Sequence, residues 1–143
     1  MIKLNKKFYY PTSTRKIIDG KRHYLVGDEK LPSVTSILKA CESEEKKASL
    51  DAWRQRVGED EATRITDNAA SRGTLMHTIL EGHILNRPVI DLTPEGQLAT
   101  KMARQIVDQG LTGKLEELWA AECVLFYPDM YAGASDGVGI YEG

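Results

Sequence analysis

The chain has 143 residues, of which 41% are hydrophobic and 28% are charged, and its formal net charge at pH 7 is −2. These values are typical of one globular domain with a single core, and they exclude a protein whose whole surface is strongly basic. No apolar run reaches the roughly 18 residues that a membrane span needs, and the N-terminus lacks the apolar stretch of a signal peptide, so we expect a cytoplasmic protein without membrane contact.

Positive charge is concentrated at the N-terminal end of the chain. Residues 1–22 contain seven Lys or Arg side chains and one acid, Asp19. Such a segment is either a solvated hairpin or tail, or a basic arm that follows the phosphates of a nucleic acid.

The first predicted elements are a two-stranded hairpin and a short helix. The segments FYYP (8–11) and RHYLVG (22–27) are rich in aromatic and β-branched residues, and a turn at Gly20 separates them. Further on, Ser33 or Thr35 is suited to accept hydrogen bonds from the first free amides of a helix. The sequence therefore predicts a hairpin that covers a larger body, followed by a capped helix.

Three longer helices are predicted in the middle of the chain, over 46–56, over 59–85 and from 93 to a stop at Gly110. The second of these carries a core-facing stripe, because six residues point within about 60° of one direction at 100° per residue. These six are Ile65, Ala69, Met76, Ile79, Leu80 and His83. The third begins with an N-cap, a first-turn proline and a first-turn acid. It presents Leu98, Met102 and Ile106 on one face.

A β-hairpin is predicted from the segments 121–127 and 130–141, which have strand composition and flank a turn at Pro128-Asp129. If this hairpin pairs simply, Glu122 faces Asp136 on one face of the sheet. Two like charges there are unfavourable unless a cation or a basic group lies between them. A bulge at the nearby glycines would break the register and with it this inference.

Two features of this pattern suggest chemistry. On the long helix, Gly73, His77 and Glu81 are spaced four residues apart, so they form a strip where core meets solvent. His77 is then either a packed, hydrogen-bonded side chain or a metal ligand. In the last strand, the glycines around Asp136 either form a bend or bulge, or leave space for an ion and a phosphate beside the carboxylate.

The residues GTLMH (73–77) and AGASD (132–136) resemble motifs of the RecB-type branch of the PD-(D/E)XK nucleases, and they are especially similar to phage exonucleases and the mitochondrial genome maintenance exonuclease. The segment LPSVTSIL (31–38) is similar to the N-terminal part of the same proteins. The similarity extends over 22–141. It implies an α+β fold in which the hairpin and helices pack on the start of a mixed sheet. Residues 1–143 would be the N-terminal portion of that single domain.

The resemblance implies a metal-dependent DNA exonuclease that acts in DNA recombination, repair, replication or phage DNA metabolism. His77 and Asp136 match residues that bind Mg²⁺ or Mn²⁺, and Glu122 resembles an acid on the preceding strand, so Asp136 and Glu122 are the expected catalytic acids. Family members then carry an Asp or Glu, one residue and a Lys on the next strand, and this pattern does not follow Asp136 here. We therefore expect an incomplete, apparently truncated site with negligible turnover on its own, unless a second polypeptide supplies the strand.

The expected partner is DNA that is single-stranded or has a free end, in the cytoplasm of the bacterial host if the protein is phage-encoded. Hydroxyls and amides at a helix start, together with basic side chains, would position phosphates, and Trp53 either stacks on a base or packs in the core. The predicted nucleic-acid-binding residues are Ser33, Thr35, Ser36, Trp53, Arg54, Arg56 and Arg72. Two alternatives remain: a non-catalytic DNA- or partner-binding module derived from such a nuclease, and a helical interaction protein whose resemblance is accidental.

Overall fold

The computed structural model describes residues 2–143 and shows an α+β fold. Within these residues there are six strands, four α-helices and one π-helical turn. In chain order they are β1 (Lys3–Leu4), β2 (Ser13–Ile18), β3 (Lys21–Val26), β4 (Glu29–Pro32), α1 (Val34–Ala40), α2 (Glu44–Val57), α3 (Glu59–Ile84), α4 (Pro94–Ile106), the π-helical turn Val107–Leu111, β5 (Leu115–Tyr127) and β6 (Tyr131–Tyr141). None of the helices in 2–143 is both long enough and apolar enough to cross a membrane.

The strands form two three-stranded sheets. In the first, β5 is central, with β1 parallel on one side and β6 antiparallel on the other. The second is an antiparallel sheet in the order β2-β3-β4. A parallel bridge between Ser33 and Ala132 joins the two regions, and Ala132 is buried with side chains of β3 and β4. The predicted α+β class is confirmed.

The predicted N-terminal hairpin is correct at its turn and wrong at its start. Asp19 and Gly20 both have positive φ, 51° and 72°, which matches the two-residue turn that twists a hairpin correctly. The first strand begins at Ser13, however, so the segment 8–11 is not a strand. Strands β1 and β4 were not predicted from the sequence. The two residues of β1 pair with Glu117 and Leu118, far along the chain.

The predicted stripe of α3 is only partly a core face. Ile79 is buried, with Met76 and Leu80 packed around it, but Ile65 is exposed at 39% and His83 is also exposed. The prediction fails for Ile65 and Ala69 because the packing between α3 and α4 involves the C-terminal part of the stripe. It also fails for His83, which lies beyond the packed residues near the end of α3.

The predicted face of α4 is also corrected. Leu98, Met102 and Ile106 remain 36–41% exposed, whereas Ala99 and Ala103 are buried against α3. Small side chains allow two helices to approach closely, so the contact forms on the alanine face although the larger residues are more hydrophobic. The helix also does not stop at Gly110, because it continues into the π-helical turn.

The predicted register of the second hairpin is confirmed. Ala121 pairs with Gly137 and Cys123 with Ser135, which places Glu122 opposite Asp136 between these two pairs. The register shifts only between Leu115 and Ala120, closer to the start of β5. Bulging is therefore present in the strand pair but leaves the predicted pair of acids aligned.

Gly139 is required by this irregular end of the hairpin, and we expect Gly139→Ala to destabilise the protein by about 1–3 kcal/mol, the usual cost of forced overpacking. A Cβ atom at this position would overlap the carbonyl oxygen of Glu117. Gly137→Ala is the matched control on the same strand, since its added Cβ would lie 3.6 Å from the nearest atom, on Leu118. Urea unfolding at equilibrium measures both variants, and equal losses of stability would contradict this explanation.

Candidate metal centre

Three side chains from three separate elements meet on the surface of the protein. His77 comes from α3, Glu122 from β5 and Asp136 from β6. One ligand atom from each residue lies within 4.8 Å of the other two, and all three residues are exposed. Nδ1 of His77 is 3.4 Å from Oδ1 of Asp136. We call these three residues the His-Glu-Asp cluster.

The backbone of Glu122 adopts an uncommon conformation. Its φ is +48°, a left-handed value that non-glycine residues rarely adopt inside a strand. Strain of this kind costs about 1–3 kcal/mol and often occurs where function fixes the direction of a side chain. At Glu122 the strained residue is the one that completes the cluster.

The electrostatics of the cluster are unfavourable for a free carboxylate. Partial burial is the largest cause that raises the pKa of Glu122 above its ordinary value, and the negative charges of Asp136 and Glu81 raise it further. His77 acts in the opposite direction but does not reverse the shift. The cluster therefore concentrates negative charge that a cation would offset.

Glu81 was placed on the same helical strip as His77 by the sequence, but it was not predicted as a site residue. It lies one turn after His77 on α3, is partly buried, and acts electrostatically on Glu122. The four-residue spacing from His77 was the available signal. Gly73, one turn before His77, has open space around it, since an added Cβ atom would meet nothing within 4 Å.

The donor set fits a small divalent cation. In an octahedral Mg²⁺ site with bonds of about 2.1 Å, neighbouring ligand atoms lie about 3.0 Å apart and opposite ones about 4.2 Å. The three ligand atoms, which lie within 4.8 Å of one another, would therefore have to move closer together to share one ion. Carboxylate oxygens suit Mg²⁺ and Mn²⁺, while the imidazole also accommodates softer ions such as Zn²⁺. The cluster thus has three groups that could hold an ion and leave other positions for water or substrate.

The predicted DNA-binding residues lie in several different environments. Ser33 is only 1% exposed, and its hydroxyl accepts from the Thr35 amide and bonds Oγ1 of Thr35 at 2.6 Å, so it caps α1. Arg54 forms an ion pair with Glu59, and Arg72 one with Glu95 at 3.0 Å. Ser33 therefore has a structural role as the cap of α1. The charges of Arg54 and Arg72 are partly offset by the carboxylates with which they pair.

The remaining predicted residues differ in how close they are to the cluster. A cavity of about 460 Å³ is lined by Thr35 and by Ser135, the residue before Asp136. Ser36 is partly buried next to this region on α1. Trp53 is partly buried and Arg56 exposed on α2, an element that contributes no member of the His-Glu-Asp cluster. The structure brings together His77, Glu122 and Asp136, and it leaves Trp53 and Arg56 on a different element.

Comparison with models of known protein families, with curated proteins and with solved structures finds no match to this chain. The fold and the site define an α+β protein with a candidate divalent-metal centre on an exposed surface. The function of the chain is therefore inferred from the chemistry and geometry of that centre.

Proposed function

We propose that this chain provides the metal-binding part of a nuclease active centre that hydrolyses phosphodiester bonds of DNA with Mg²⁺ or Mn²⁺. The observation that carries the proposal is the convergence of His77, Glu122 and Asp136 from three elements to within 4.8 Å. His77 and Asp136 lie in the segments that resemble motifs of RecB-type PD-(D/E)XK nucleases, and Glu122 resembles an acid on the preceding strand. An imidazole and two carboxylates on an open surface also suit an ion that must reach a large, anionic substrate.

Each residue of the cluster has a distinct part in the proposed mechanism. Asp136 and Glu122 provide anionic oxygens from neighbouring strands, so the hairpin register fixes their separation. His77 provides a ring nitrogen from α3 and thereby ties the helix to the sheet at the site. A bound divalent ion supplies Lewis-acid chemistry, which activates water and stabilises the charge that develops on the phosphate.

The family pattern adds an acid and a lysine on a further strand, and these residues do not follow Asp136 in the printed sequence. Strand β6 is at the edge of its sheet within residues 2–143, where Ser33 bridges only to Ala132. A further strand added along this edge would place an acid and a lysine near Asp136. We propose such a strand as the source of the two groups.

Iron-directed cleavage tests the proposed centre without requiring turnover. Fe²⁺ replaces Mg²⁺ in the protein, single-stranded DNA labelled at one end is added, and ascorbate with peroxide generates radicals at the bound ion. We expect localised cuts in the DNA that excess Mn²⁺ suppresses and that Asp136→Asn reduces at least about tenfold, because a carboxylate ligand is lost. Metal-dependent hydrolysis that the same substitution removes would support the proposal as well.

The matched control for this experiment is Asp67→Asn, which removes an exposed carboxylate of α3 outside the cluster. It should leave the cutting pattern unchanged. Diffuse cutting that is equal in the unmodified protein and the Asp136→Asn variant would contradict the proposed centre.

A non-catalytic nucleic-acid-binding module is the second candidate function. The observation in its favour is the basic composition of residues 1–22, which does not depend on a metal ion. DNA binding that falls steeply with salt, together with no cutting directed by iron and no hydrolysis, would favour this function.

A further inference from the structure

A cleft rich in aromatic residues lies between the N-terminal segment and strand β5. It has a volume of about 640 Å³, and Phe8, Tyr9, Tyr10 and Trp119 are among the side chains that line it. We call it the aromatic cleft. Its floor is the part of β5 beyond Leu118, where the short pairing with β1 has ended. The volume is in the range of pockets that hold a small organic ligand or a nucleotide.

The aromatic cleft combines an exposed tyrosine ring with a lysine that lies over a tryptophan ring. Phe8 meets Trp119 edge-on, with centroids 5.4 Å apart, and Nζ of Lys7 lies 4.3 Å from the centre of the Trp119 ring. Tyr9 is 89% exposed although it borders the cleft, so its ring has a free face. An exposed aromatic ring beside other rings favours an occupant that is flat and can stack.

Polar groups of the cleft add two further requirements for its occupant. The hydroxyl of Tyr10 is buried, and it has no hydrogen-bond partner among residues 2–143. A buried hydroxyl without a partner is costly, so a ligand that bonds to it is favoured. Lys6 and Arg87 also line the cleft, which favours a ligand with negative charge.

The aromatic cleft and the candidate metal centre share one residue. Glu122 lines the cleft and is also a member of the His-Glu-Asp cluster. A ligand in the cleft would therefore lie beside the part of β5 that contributes Glu122 to the cluster.

We propose that the aromatic cleft binds the base of an unpaired nucleotide in a single-stranded nucleic acid, with the adjoining phosphates directed toward Lys6, Arg87 and the His-Glu-Asp cluster. A flat base, a hydrogen-bonding edge and an anionic backbone together match the exposed rings, the Tyr10 hydroxyl and the basic side chains. A duplex does not fit, because its bases are stacked on each other and their faces are not free. This inference rests on the proposed function, since it names the strand form that the same site accepts.

The test measures the affinity of fluorescein-labelled strands by fluorescence anisotropy in EDTA, so that it does not depend on a metal ion. A single-stranded DNA of about 12 nucleotides, within the usual site sizes, is compared with an abasic strand that has the same phosphates. We expect Tyr9→Ala to weaken binding of the normal strand about 5- to 150-fold, which corresponds to the loss of one stacked base. On the abasic strand the same substitution should change affinity less than about twofold, since no base is there to stack.

Two variants serve as controls. Tyr9→Phe keeps the ring and should bind like the unmodified protein. Tyr141→Ala removes a tyrosine that is 49% exposed at the end of β6, outside the cleft, and should also bind normally. A parallel series with single-stranded RNA identifies the polynucleotide: a Tyr9-dependent loss on either DNA or RNA supports the proposal.

The proposal is overturned if the unmodified protein binds duplex as tightly as single strands, or does not bind single strands. It is also overturned if Tyr9→Ala has no effect, or weakens normal and abasic strands equally. These results are separable from the metal-centre test. Asp136-dependent iron cutting with no effect of Tyr9→Ala removes the cleft proposal alone, whereas a Tyr9 effect without iron cutting removes the proposed nuclease function.

Discussion

Mn²⁺ at about 100 times its dissociation constant is expected to stabilise the protein by about 2.7 kcal/mol, and Asp136→Asn is expected to abolish most of this effect. The stabilisation follows because the His-Glu-Asp cluster exists only in the folded chain, where its members are brought together from α3, β5 and β6. Unfolding would separate the three ligands. An ion that binds only the folded state therefore shifts the equilibrium towards it.

Thermal unfolding with and without Mn²⁺ measures this stabilisation. For a chain of this size each kcal/mol raises the midpoint by roughly 2–4 °C, so saturating Mn²⁺ should raise it by about 5–11 °C. His77→Ala leaves the two carboxylates in place and should retain part of the shift. Asp136→Asn removes one of the two carboxylates and should retain little of the Mn²⁺-induced shift.

Asp67→Asn provides the matched control for the thermal measurement, because it removes a carboxylate from α3 without touching the cluster. Its shift should equal that of the unmodified protein. Zn²⁺ is included as a competitor, since imidazole accepts it readily. An Mn²⁺ shift that survives Asp136→Asn unchanged would show that the ion binds elsewhere.

Local sequence signals were sufficient for some parts of this structure. The N-caps Ser33 and Thr93 begin α1 and α4, because a side-chain oxygen there satisfies a free amide. The turn at Pro128-Asp129 fixes the hairpin register, and the register in turn places Glu122 opposite Asp136. These features depend on residues close to each other in the chain, so the sequence contains the necessary information.

Other parts depend on tertiary contacts that local patterns do not encode. Strand β1 has two residues and exists through its pairing with β5, more than a hundred positions away. The choice of Ala99 and Ala103 over Leu98 and Met102 as the packed face of α4 depends on how closely α3 approaches. The influence of Glu81 on Glu122 likewise requires that α3 and the hairpin be placed next to each other.

Glu122→Gln is expected to have opposite effects on the metal-free and metal-bound protein. In EDTA at neutral pH it should raise the thermal midpoint, since the amide is uncharged and is not repelled by Asp136 and Glu81. With Mn²⁺ present it should weaken the ion's affinity at least about tenfold, because an amide oxygen replaces an anionic ligand. If the Glu122 carboxylate instead stabilised the fold, Glu122→Gln would lower the thermal midpoint in EDTA.

The pH dependence of the first effect follows from the direction of the pKa shift. The pKa of Glu122 in the folded protein is raised above its ordinary value, chiefly because its carboxyl is partly desolvated. At pH values below the unfolded pKa the carboxyl is protonated in both states, so it causes no loss of stability. As pH rises from the unfolded pKa to the raised folded pKa, the unfolded chain has released its proton while the folded chain still holds it, so the folded state becomes relatively less stable.

The stability gained by Glu122→Gln should therefore be near zero at about pH 4, grow as pH rises above the unfolded pKa, and level off above the raised folded pKa. Glu116→Gln on the same strand is the matched control, because Glu116 is exposed and outside the cluster. Thermal midpoints across this pH range in EDTA measure both variants. A gain that does not change with pH, or that also appears in Glu116→Gln, would contradict the electrostatic explanation. A gain in stability seen only in Glu122→Gln would mean that the negative charges around Glu122 destabilise the metal-free fold. The same charges would attract the cation to this site.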